Sequence, residues 1–306
     1  MNHLSAEPLI RDQVTAHMTR TSRMLLILTA WLGTLLLSRL PQIILSELGL
    51  ITPADWSPWW WVSIGTALFA LTYGWQAARP LRGYFLILTL TWLLPMGLSL
   101  IQATPLWISW FGPERSSLAY FFGDRLGIVL IALTLAGILA LLGQNRKDYF
   151  LALGNVNAPA VGMRLPWKIA GPIIALVLSV LTTAAILAMN PLADVTFARV
   201  IALLPAILIL ALMNAFGEEL AYRAAPLSQL WHIVGKGQAL WMTALWFGLG
   251  HYYGGISFGA FGAVFFTLVA VLFGKAMVET RGLAIPVFMH LLGDIILYII
   301  LALGSA

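Results

Sequence analysis

Residues 197–230 read FARVIALLPAILILALMNAFGEELAYRAAPLSQL. A predominantly apolar run of about 20 residues suffices to cross a bilayer as a helix, yet this one also carries Glu218, Glu219 and Arg223. Charged groups are expensive at membrane depth, so they mark a functional site by default. Two later apolar runs hold polar groups at similar spacing: Phe247 with His251, and His290 with Asp294.

Composition sets the class of protein around these clusters. Only 9% of the 306 residues are charged and the mean hydropathy is +0.91, which identifies a polytopic membrane protein. The pI near 9.7 reflects basic residues scattered through short loops, with no block able to track nucleic-acid phosphates. The chain has no cysteine, which excludes disulfides, thiolate metal sites and a cysteine nucleophile. Water activation and hydroxyl chemistry are left.

An apolar run beginning at Met24 lacks a small-residue cleavage site and reads as a retained first span. Further runs follow at 57–78, 84–103, 126–143, 169–190, 197–230, 239–253, 259–278 and 283–303, so the expected fold class is all-α, an integral membrane helical bundle with eight to nine transmembrane helices. With the N-terminus inside, one side collects most of the loop Lys and Arg, while the other receives only Arg39, Arg115, Arg125 and Arg199. This asymmetry predicts an N-in, C-out arrangement. Segment 104–125, with Trp107 and Trp110, reads as an external loop, and 144–168 as a basic cytoplasmic linker. The expected division is a cytoplasmic segment 1–23, accessory spans 24–168 and a catalytic core 169–306. Trp59, Trp60 and Trp61 read as an interfacial anchor, and His3, His17, His232 and Lys236 as loop residues.

Helical spacing gives the polar groups relationships. Glu219 and Arg223, four residues apart, share a face, while Glu218 lies roughly 100° around the helix from Glu219 and is free to point elsewhere. His290 and Asp294 are also four apart, so the carboxylate can receive a ring N–H, or both groups can face one centre. Phe247 sits one turn before His251, suited to packing on its ring. Counted at about 1.5 Å per residue from the cytoplasmic helix ends, Glu218, His251 and His290 all fall roughly 12 to 20 Å deep, provided that the span through Glu218 continues past Arg223 to about Leu230.

Three motifs, in order and each in its own apolar run, carry a resemblance: Glu218-Glu219-Leu-Ala-Tyr-Arg223, Phe247-Gly-Leu-Gly-His251 and His290-Leu-Leu-Gly-Asp294. The last third of the chain resembles the CPBP family of intramembrane proteases, which includes CAAX prenyl endopeptidases, bacteriocin-processing proteins and Abi proteins. The resemblance implies a helical bundle with a cavity open to the cytoplasmic side and peptide-bond cleavage by activated water. It implies Glu218 as general base, His251 assisting in water polarisation, His290 and Asp294 stabilising the oxyanion or positioning the scissile carbonyl, and Glu219 paired with Arg223. It further implies a peptide or protein substrate, prenylated or membrane-associated, a lipid-bilayer setting and no nucleic-acid partner. The expected location is a bacterial cytoplasmic membrane.

Asp294 stands where the family often has asparagine. Ionised, it cannot donate to an oxyanion, so it is protonated, orients His290, or binds metal. Glu218, His251, His290 and Asp294 have the nitrogen and oxygen donors of a zinc-type site, but the His-Glu-x-x-His pattern is absent. Divalent-metal and metal-free water activation both stay open. Two other classes use the same residues: a proton-coupled transporter, disfavoured by the lack of duplicated halves, and an inactive scaffold or immunity protein, disfavoured by the intact motif set.

Overall fold

The computed structural model describes residues 19–189, 197–254 and 259–304. His3, His17 and most of segment 1–23 lie outside the described residues. The regular elements of the described chain are helices and one ribbon of two two-residue strands: α1 (Arg20–Leu36), α2 (Leu40–Glu47), a 3-10 turn (Pro53–Asp55), α3 (Trp59–Gly74), a 3-10 helix (Gln76–Leu81), α4 (Arg82–Gln102), α5 (Pro105–Phe111), α6 (Ser117–Leu141), β1 (Pro159–Ala160), β2 (Leu165–Pro166), α7 (Trp167–Met189), α8 (Phe197–Glu218), a π-helical turn (Glu219–Ala224), α9 (Ala225–Val234), α10 (Lys236–Gly250), α11 (Ala260–Thr280) and α12 (Ala284–Gly304).

Five helical stretches among the described residues are long and apolar enough to cross a membrane: Gln76–Gln102, Ser117–Leu141, Trp167–Ala188, Phe197–Val234 and Ala260–Thr280. A sixth results if α1 and α2, bent by 57° at their junction, form one broken span. The larger number expected from sequence includes α3, with 16 residues, α10, with 15, and α12, whose Ala284–Ile300 stretch is a shorter apolar helix. The Glu218 run does continue past Arg223, as one 38-residue apolar stretch.

Two compact units are present, Met1–Met96 with Ala225–Gly274 and Gly97–Ala224 with Lys275–Ala306. In the first, the α1–α2 break exposes backbone carbonyls that a continuous helix would satisfy. Tryptophan indoles replace those bonds: Trp92 and Trp246 donate to the Leu37 carbonyl at 2.8 and 2.9 Å, and Trp61 donates to that of Ser38 at 2.7 Å. Trp61 stacks on Trp92 with centroids 3.8 Å apart, and the Arg39 guanidinium lies 5.3 and 5.4 Å from the two rings. The anchor reading therefore needs correction for Trp61, which is 2% exposed, whereas Trp59 and Trp60 are exposed.

The second unit packs α12 against α7 and α8, and α8 against α6. Ile207, Leu210 and Ala211 of α8 form its core with Tyr298 and Ala302 of α12. Segment 104–125 is largely helical, not a plain loop. Thr104 caps α5, with Pro105 in its first turn, and Ser116 caps α6, signals that start helices and place Arg125 two turns inside α6. Linker 144–168 is likewise structured. Trp167 donates its indole N–H to Glu279 at 2.8 Å, Asn155 N–H to the Thr280 carbonyl at 2.7 Å, and Leu283 N–H to the Ala152 carbonyl at 2.8 Å.

Gly217, immediately before Glu218, lets α6 and α8 approach closely. A Cβ there would lie 2.6 Å from Ile128 Cγ2 and 3.2 Å from the Ile128 carbonyl carbon, as small residues allow between membrane helices. Gly217→Val is expected to overpack this contact by about 1–3 kcal/mol and to lower the thermal midpoint in detergent by several degrees; an unchanged midpoint would contradict the packing.

Candidate functional site

The sequence places Glu218 and Glu219 a third of a helical turn apart, which in regular α-helix sends them in different directions. The structure changes helix type between them: Glu218 ends α8 and Glu219 opens the π turn. π-Bulges of this kind are frequent at functional sites. Both carboxylates reach one imidazole, Glu219 Oε1 at 2.8 Å from His290 Nδ1 and Glu218 Oε2 at 3.8 Å from His290 Nε2.

Glu219 is fully buried and Arg223 is 3% exposed. The Arg223 guanidinium donates to Glu219 Oε1, the oxygen that also faces His290 Nδ1. A carboxylate held by an arginine accepts and does not donate, so Nδ1 carries the ring proton. In the neutral ring this fixes the His290 tautomer, and in the imidazolium it leaves Nε2–H facing the other two carboxylates, with the ring plane held either way. Sequence spacing offered Asp294 for that task. Instead Asp294 Oδ2 stands 3.6 Å from His290 Nε2, beyond a direct hydrogen bond, and is held at 2.9 Å by the Asn214 amide.

Asn214 went unnoticed in the sequence, although a polar residue one turn before Glu218 in an apolar run was signal enough. Two more groups join from helix faces. Tyr298 follows His290 and Asp294 at four-residue steps along α12, and its hydroxyl accepts from Arg125 Nε at 2.6 Å. Arg125 pairs with Asp124 at 3.0 Å and lies within the electrostatic reach of Glu218 and Asp294. Glu218, Glu219 and Asp294 thus lie near Arg223, Arg125 and His290, cationic partners of the kind that charges removed from water require. Reading 104–125 as a loop leaves Arg125 out of the site, whereas the structure places it inside α6.

His251 and Phe247 belong to the other unit. The rings are 4.6 Å apart, and Phe266 stacks on the opposite side at 4.2 Å. His251 Nδ1 is 3.1 Å from the Phe247 carbonyl oxygen, which can only accept, so Nδ1 is the protonated nitrogen and Nε2 the acceptor of the neutral ring. Gly248 permits this packing, since a Cβ there would lie 2.0 Å from Thr267 Oγ1.

Among the described residues, no group of three or more His, Cys, Asp or Glu side chains is arranged to hold a metal ion. Glu218, His290 and Asp294, the members of the expected zinc set that share one unit, form no such group, and no step of the chemistry is routed through a metal.

Residues 200–296 match the family described as type II CAAX prenyl endopeptidase Rce1-like. The matched segment contains all three motifs. No curated protein and no solved structure gives a significant match.

Removing Arg223 leaves Glu219 charged and uncompensated. Arg223→Leu is expected to destabilise the protein by about 3–5 kcal/mol, and Glu219→Leu/Arg223→Leu by less, as read from unfolding in detergent. A single variant as stable as wild type would count against the buried pair. For the metal question, elemental analysis of purified protein should find less than one equivalent of zinc, with activity surviving a chelator; a stoichiometric metal lost in Glu218→Gln would reverse the conclusion.

Proposed function

Since residues 200–296 are a Rce1-like type II CAAX prenyl endopeptidase domain, a family whose members are peptidases, we propose that this multi-pass membrane protein is an intramembrane endopeptidase that hydrolyses a peptide bond with water activated by Glu218. One observation carries the reading. An imidazole oriented by a buried Arg223–Glu219 pair turns its other nitrogen toward two carboxylates, Glu218 at 3.8 Å and Asp294 at 3.6 Å.

Those separations are too long for direct hydrogen bonds and short enough for one oxygen to bridge them. In the proposed reaction a water oxygen attacks the scissile carbonyl carbon while Glu218 takes the water proton. The developing oxyanion is stabilised by the His290 imidazolium, donating from Nε2. Collapse breaks the C–N bond, and Glu218 returns the proton to the leaving amine. Asp294, 3.6 Å from Nε2, favours the charged ring by its own negative charge, an electrostatic role and not that of an oxyanion donor. By the family resemblance His251 is proposed as a further catalytic imidazole that assists in water polarisation.

The family relationship supports a peptide or protein substrate, and we take it to be prenylated or membrane-associated. The working division is a catalytic core at 169–306 with accessory spans at 24–168. The Lys and Arg asymmetry supports an N-in arrangement, C-out with nine crossings when α3, α10 and α12 are counted among them.

Glu218→Gln and His251→Ala are each expected to abolish cleavage, by at least a hundredfold, while expression and the thermal midpoint in detergent hold. Full activity in both variants would sink the assignment. Substrates retained by Glu218→Gln in native membranes, with cut sites mapped by mass spectrometry, identify the sequence cleaved.

A further inference from the structure

Asn214 is 6% exposed and sits one helical turn before Glu218. Its carboxamide has two ends. Nδ2 donates to Asp294 Oδ2 at 2.9 Å, the orientation an ionised carboxylate requires, because it can only accept. Oδ1 is buried and has no hydrogen-bond partner among the described residues. A buried acceptor left unmade costs about 1–3 kcal/mol, and native structures retain few such groups without a reason.

The chemistry beside it supplies a reason. A peptide entering an apolar helical environment brings backbone N–H donors that lose water and need acceptors. Asn214 Oδ1 is an acceptor of that kind, and the Asp294 bond keeps the amide from rotating it away. Asp294, in turn, is the carboxylate 3.6 Å from His290 Nε2, so one side chain links the peptide backbone to the reacting cluster. An apolar side chain of similar volume would fill the same space without the unmet acceptor, so packing alone does not account for the amide.

We infer that Asn214 is a substrate-binding residue: tied to Asp294 through Nδ2, it accepts through Oδ1 a backbone N–H of the bound peptide next to the scissile bond. The inference rests on the peptidase reading above and adds to it the group that holds the peptide backbone in register. Aspartate at position 294, where the family often has asparagine, then makes sense as half of a pair, with the carboxamide moved to the facing helix.

The test uses the full chain in lipid nanodiscs, on a Glu218→Gln background that leaves Asn214 intact. The probe is a fluorescent farnesylated peptide ending in Cys-Val-Ile-Met, compared with three analogues in which an ester oxygen replaces one of the last three backbone N–H groups. One analogue is expected to bind about tenfold more weakly than the parent, and Glu218→Gln/Asn214→Leu is expected to bind both alike. Exchanging the pair, Asn214→Asp with Asp294→Asn on the same background, restores an acceptor opposite a donor and is expected to recover the discrimination; this arm also guards against a misfolded leucine variant. Discrimination that persists in Asn214→Leu, three analogues that bind like the parent, or a parent that does not bind would each overturn the inference. Cleavage by Glu218→Gln would instead sink the proposed mechanism and leave the binding comparison standing.

Discussion

A carboxylate can remain ionised in an apolar helical unit only when a cation and hydrogen bonds replace the water it has lost. Glu219 meets that condition through Arg223 and His290. The arrangement is worth little as net stability, because desolvation offsets most of the attraction. Its value lies in direction: the buried pair fixes which nitrogen of His290 carries the proton and which faces the remaining carboxylates.

The π turn makes this geometry available to neighbouring residues. In an unbroken α-helix, Glu218 and Glu219 diverge by about 100°; the change of helix type between them brings both to the same ring. Gly217 removes the side chain that would hold α6 away from α8 at that level. Asn214 and Asp294 then lock α8 to α12 one turn further along, and Arg125 of α6 donates to Tyr298 of α12. Each contact follows from the rule that a polar group buried among apolar helices must find a partner.

The same rule shapes the other unit, with different chemistry. There the cost comes from backbone, not side chains: the α1–α2 break frees the Leu37 and Ser38 carbonyls, and three indole N–H groups take them up. Two of these tryptophans also stack beneath Arg39. A residue type that sequence reading assigns to the interfacial belt serves here as an internal hydrogen-bond donor, and only its partner reveals which role it has.

Helical spans were legible because hydropathy reports burial in lipid directly, and the runs at 84–103, 169–190, 259–278 and 283–303 fall within two residues of helices in the structure. The Glu219–Arg223 pair was legible too, since spacing of four on one helix is a local property. The partner of His290 was not. Spacing proposed Asp294 and the structure gives Glu219, 71 residues away, because the choice depends on where two helices cross and on a π turn with no sequence signature. Asn214 and Arg125 escaped notice for a related reason: one looked like a lone polar residue in a span, and the other lay where capping by Ser116 extends α6 into a presumed loop. Sequence alone therefore determined a membrane-helical chain and the polar groups set against its apolar background, both being properties of single segments. Tertiary structure decided which of those groups orients which, because hydrogen-bond direction is set by atoms that meet only when distant helices pack.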